Sequence, residues 1–130
     1  MPPRQILGYI MGMTWIEGIV RGPGGEQDVT FLIDSGAMYS LLPEATWKAL
    51  ALLPEREMRF TLADGTAIVR QVSECEFFVS GARAHAPVVL GQPGDPDALL
   101  GVVTLENLGL VFDPFRRTLH PMRMLLAALK

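Results

Sequence analysis

The sequence predicts an all-β fold, and three observations carry that prediction. Glycine and proline, 13 and 10 of the 130 residues, separate short apolar runs, a spacing that suits strands and tight turns better than long helical stripes. Asp64-Gly65 stands between two such runs, the dipeptide that most strongly marks a hairpin. The segments that carry helical signals are all short. The length suffices for one core and not for two ordinary domains. Residues 1–130 are therefore expected to form a single domain, with its core over about 13–121.

Taken in order, residues 14–20 read as a strand, Arg21-Gly22-Pro23-Gly24-Gly25-Glu26 as a turn, and residues 29–33 as a second strand ending at Asp34. Pro43-Glu44 opens a short helix over residues 45–50, since proline fits the first helical position and glutamate the positive end of the dipole. Residues 58–62 and 66–72 flank Ala63-Asp64-Gly65 as a long, protruding hairpin. A further strand pair, residues 76–79 and 86–90, brackets Ser80-Gly81-Ala82-Arg83. The loop over residues 91–97 precedes Ala98-Leu99-Leu100-Gly101. Thr104 is placed to cap one helical turn through Leu108, Gly109 to end it in a left-handed conformation, and Leu110-Val111-Phe112 to return. In the tail, residues 122–130, Met122, Leu125, Leu126 and Leu129 share one helical face, which so short a segment keeps only by docking on this subunit or a partner.

Composition narrows the function. A net charge of -3 with 11 Lys plus Arg leaves no basic stripe to neutralise a phosphate backbone, so nucleic acid is not expected as a partner. Hydrophobic residues reach 49 % with mean hydropathy +0.28, yet no apolar run approaches the ~18 residues of a membrane span. Part of the apolar surplus suits a subunit interface. Cys75 is the lone cysteine, incapable of an internal disulfide, and falls in an alternating apolar stretch where a buried strand thiol is expected. Met1-Pro2-Pro3-Arg4 lacks the features of a signal peptide, and a cytoplasmic location is the default expectation.

The chemistry concentrates in Phe31-Leu32-Ile33-Asp34-Ser35-Gly36-Ala37. A carboxylate ending an apolar strand sits at the edge of the core and is costly there unless hydrogen-bonded or used. By itself Asp-Ser-Gly reads first as an Asx turn leaving a strand. The string resembles, however, the Asp-Thr/Ser-Gly-Ala motif of the retropepsin-like aspartic peptidases. The Asp-Gly hairpin follows where that family carries its flap, and Leu99-Leu100-Gly101 before a short helix resembles its apolar-apolar-Gly element. Leu62-Ala63-Asp64-Gly65-Thr66 and Leu105-Glu106-Asn107-Leu108-Gly109-Leu110, running on to Asp113-Pro114, are similar to small bacterial members.

The resemblance implies a closed β-barrel subunit with a flap hairpin and one or two short helices, working as a homodimeric aspartic endopeptidase on a peptide or protein substrate. Asp34 would be catalytic, one from each subunit. Ser35, Gly36, Ala37, Leu100 and Gly101 would support the site, and Ala63, Asp64 and Gly65 would form the flap tip over the substrate. No metal and no cofactor are implied. Ser35 departs from the threonine of most members, and the charged tip at Asp64 departs from the glycine-rich retroviral flap; Asp64 itself reads first as a turn residue. The alternatives are a catalytically inactive retropepsin-like dimerisation or peptide-binding module, and a domain that offers a sheet edge to partners.

Other candidates read blandly. His85 and His120 have no Cys or His at zinc spacing, Asp95 and Asp97 sit in a proline-stiffened loop unlike an EF-hand, and Asp113 belongs to a turn flanked by Arg116-Arg117. Trp15 and Trp47 lack a basic surround and suit packing.

Overall fold

The computed structural model describes residues 13–123, which hold nine strands and two short helices. In chain order these are β1 Trp15–Gly22, β2 Gly25–Ile33, β3 Ser40–Leu42, α1 Glu44–Ala49, β4 Arg56–Thr61, β5 Ala67–Val79, β6 Ala82–Leu90, β7 Ala98–Leu100, α2 Val102–Leu108, β8 Leu110–Asp113 and β9 Thr118–Pro121. The all-β expectation holds. No helix among the described residues is long and apolar enough to cross a membrane. The tail from residue 124 onward and the N-terminal residues 1–12 lie outside the described residues, and the docking expected of the tail lies there with them.

Seven strands form one sheet in the order β1-β2-β7-β3-β6-β5-β4, and a further pairing of β1 with β5 closes six of them into a barrel. The strand left outside the ring, β4, pairs with the free half of β5 and makes the protruding hairpin. A separate two-stranded sheet joins β8 and β9. Inside the barrel Phe31, Phe77, Leu42, Leu100, Val20 and Val88 are fully buried, and side chains of this size stabilise by about 1.5–3 kcal/mol each on leaving water. The rings of Phe31 and Phe77 meet at 6.0 Å between centroids.

The first hairpin is longer than expected. Its turn is only Pro23-Gly24, because Arg21 pairs with Glu26 across the strands and their side chains form an ion pair at 2.6 Å. Residues 66–72 and 76–79, expected as two strands, are parts of one 13-residue strand, β5. Cys75 is buried as expected, and burial, with the charge of Glu74, pushes its thiol up to about 12.

One cap is corrected. Thr104 lies inside α2, and the helix begins at Val102 with no side-chain cap. Its first amides instead donate to the carbonyls of the preceding loop, Val102 N–H to Ala37 at 2.9 Å and Val103 N–H to Met38 at 3.0 Å, which meets the need of the otherwise unpaired first turn. Gly109 ends the helix at φ 71°, as expected.

Candidate active site

Three elements converge on Asp34. Strand β2 delivers it, and β7 runs parallel beside β2 with Ile33 opposite Leu100, so Asp34 and Gly101 leave the sheet side by side. The backbone makes that adjacency rigid: Asp34 N–H donates to the Leu100 carbonyl at 3.0 Å, and Ala37 N–H to the Asp34 carbonyl at 3.1 Å. The carboxylate is half-buried, and its Oδ1 accepts the Gly36 N–H at 2.9 Å. Among the described residues Oδ2 and the exposed Ser35 hydroxyl have no hydrogen-bond partner within the chain.

Beneath the loop lies a buried polar relay. Gly101 N–H donates to Ser40 Oγ at 2.9 Å, and Ser40 Oγ meets Thr104 Oγ1 at 2.5 Å. Both side chains are fully buried, so the pairing satisfies groups that would otherwise be costly to desolvate. Gly101 has no room for a side chain: a Cβ there would stand 2.5 Å from the Tyr39 carbonyl carbon and 2.9 Å from Ser40 N. Leu100 and Gly101 thus pack under the loop that holds Asp34, Ser35, Gly36 and Ala37.

The β4–β5 hairpin meets Tyr39, at the end of that loop, from two points along β4. Phe60 packs edge-on against Tyr39 at 5.9 Å, and Arg56 donates to the Tyr39 hydroxyl at 3.3 Å. At the tip, Gly65 N–H donates to the Leu62 carbonyl at 2.9 Å with Gly65 at φ +89°. Asp64 Oδ1 accepts from the Thr66 hydroxyl at 2.6 Å and the Thr66 amide at 3.0 Å, and those bonds hold its carboxyl below the usual range. Ala63, Asp64 and Gly65 are all exposed.

Elsewhere the carboxylates serve local structure. Asp113 Oδ1 accepts amides of Arg116 and Phe115 in the β8–β9 turn, which lower its proton affinity, and Asp95 Oδ2 accepts the Gln92 amide at 2.8 Å. His120 pairs with Thr118 at 2.6 Å, and exposed His85 lies 3.9 Å from Glu76. Trp47 Nε1 donates to the Gly91 carbonyl at 2.8 Å. No group of three or more metal-ligating side chains occurs among the described residues. A cavity of about 610 Å³ opens between β1, β2 and the β5–β6 turn, lined by Glu17, Asp28, Phe78 and Arg83 among others, and none of its residues belongs to the Asp34 loop or the hairpin.

Sequence reasoning missed Tyr39, Ser40, Thr104 as a relay member, Arg56 and Phe60. Ser40 alone left a signal, a hydroxyl at the head of the apolar Ser-Leu-Leu run.

Residues 16–104 match the aspartyl protease family, which is more than half of the chain. The chain belongs to that family. Two solved proteases are similar to it in fold. EIAV protease complexed with the inhibitor HBY-793 is similar at TM-score 0.58 and 17% identity, covering 79% of this chain and 95% of that one. The solution structure of simian foamy virus (mac) protease is similar at TM-score 0.51 and 24% identity, covering 71% and 91%. No curated protein matches the sequence. The aspartyl protease match runs from β1 into α2 and so includes the Asp34 loop, the hairpin and Gly101, and the chain is retropepsin-like in fold.

Proposed function

We propose that the protein is a homodimeric aspartic endopeptidase in which Asp34 of each subunit forms a shared dyad over an extended peptide. The observation that carries this reading is the state of Asp34: fixed at the end of β2 by backbone bonds, half-exposed, with Oδ1 held by Gly36 and Oδ2 open. Two such carboxylates across a two-fold axis cannot both ionise readily, so the pair retains one proton. The ionised partner takes a proton from a bound water as its oxygen bonds to the scissile carbonyl carbon. The protonated partner donates to the carbonyl oxygen. The carbon–nitrogen bond then breaks, and the amine leaves with a proton returned by the dyad. No metal or covalent nucleophile is needed.

The supporting residues follow their places in the loop. Exposed Ser35 would bond across the axis, Gly36 would orient the carboxylate, and Ala37, Leu100 and Gly101 would fix the loop from below. The hairpin with Ala63, Asp64 and Gly65 at its tip would close over substrate and exclude water. Exposed Met38 (62 %) and Phe115 (95 %) are apolar surface for a partner or substrate to cover. A groove shared by two subunits is only an open face on one of them, which agrees with a cavity that lies elsewhere.

Asp34→Asn tests the assignment. The amide can neither share the proton nor act as base, so the variant should fold and associate like wild type and lose hydrolysis of a peptide library, measured by mass spectrometry. Hydrolysis retained in the purified variant would refute it.

A further inference from the structure

The base of the hairpin presents two guanidinium groups on the face turned toward the Asp34 loop. Met58 pairs with Arg70 and Phe60 with Ile68, and period-two alternation puts Arg56 on the same face. Contacts of Phe60 and Arg56 with Tyr39 fix which face this is. Because Arg56 pairs with Val72, Arg70 is its diagonal neighbour across the ladder.

Among the described residues, neither cation has a well-placed anion. Arg56 is exposed and donates to two weak neutral acceptors, the Tyr39 hydroxyl at 3.3 Å and the Met58 sulfur at 3.3 Å. Glu57, its neighbour in sequence, is on the other face, where it accepts from Gln71 at 3.1 Å. Arg70 approaches Asp95 only to 3.8 Å, and that same oxygen already accepts the Gln92 amide. Arg70 Nε is buried with no acceptor among the described residues. A guanidinium offers five donors in a planar fork suited to a carboxylate. Here two forks share one face with neutral or stretched acceptors.

Resting on the endopeptidase reading, we infer that the favoured substrates carry an acidic side chain a few residues from the cleaved bond. Arg56 receives its carboxylate, and Tyr39, which accepts from Arg56, gives its own O–H as a second donor. Arg70 lies behind and adds positive potential. The site recognises a peptide carboxylate, Asp or Glu.

The test uses short capped peptides with an apolar centre in which Glu or its neutral isostere Gln is placed in turn at each flanking position. For the best position, wild type should prefer Glu over Gln in kcat/KM by about tenfold at low salt, mainly through KM, as befits a charge-assisted bond at a partly exposed site. In Arg56→Gln the ratio should fall to about one, and in Tyr39→Phe to an intermediate value. Equal use of both peptides by wild type, or a preference that survives Arg56→Gln, overturns the inference and leaves the endopeptidase reading standing. Cleavage of neither peptide counts against that reading instead. Calorimetric binding to the Asp34→Asn protein then decides the inference separately: tighter binding of the Glu peptide supports it, and equal or absent binding of both overturns it.

Discussion

The two halves of β5 live in different surroundings. Residues 72–79 pair with β6 on one side, and residues 76–79 pair with β1 on the other, so this half is a stave of the closed barrel, with Cys75, Phe77 and Val79 buried inside. Residues 67–71 pair with β4 alone, and all of their side chains are exposed or half-buried. The buried face even changes parity, from even positions up to Val72 to odd positions from Ser73. One continuous strand thus joins a region whose order is set by packing to one whose order is set by a single ladder and a turn. Local opening is cheap where little apolar surface is buried. The barrel can therefore hold Asp34 still while the hairpin moves.

This contrast sets the scale of the mutational effects. Phe77→Ala should cost most, about 3–5 kcal/mol in urea unfolding, because it empties fully buried space against Phe31. A loss near that of a surface change would mean the barrel half is not close-packed. Ser40→Ala should cost less, about 1–3 kcal/mol, by stranding the Gly101 amide and the Thr104 hydroxyl. It should also lower kcat, since the same relay supports the Asp34 loop; stability loss without a kinetic change would separate the relay from the site. Gly65→Val should cost least in global stability, about 1 kcal/mol, since φ +89° resists a β-branched residue but the turn is exposed. Its effect should appear as weaker peptide use with association unchanged. Unaltered kinetics would mean the hairpin tip does not act on substrate.

What the sequence made legible was local. Asp34-Ser35-Gly36-Ala37 and the Asp64-Gly65 turn carry their conformations in adjacent residues, as does Gly109 at the helix end. The misreadings are of long-range pairing. Strand β3 is three residues long and exists because Leu41 and Leu42 find Val89 and Leu90 in β6 and Leu99 in β7, partners that no local period announces. The parity change at Val72–Ser73 broke the alternation, which is why β5 read as two strands. Thr104 looked like a cap because a helix followed it, whereas the helix amides were answered by the Ala37 and Met38 carbonyls. Tyr39 and Arg56 meet only through the fold.

The central claim is a site shared between two chains, and subunit mixing tests it most directly. Wild-type and Asp34→Asn chains are co-refolded at varied ratios, random pairing is confirmed by native mass spectrometry, and hydrolysis is measured per total dimer. If each site needs Asp34 from both subunits, activity follows the square of the wild-type fraction. An equal mixture then keeps about a quarter of full activity, the share of symmetric dimers with two intact carboxylates. Activity that falls in simple proportion, keeping about half in the same mixture, would show a complete site within one chain and contradict the shared dyad.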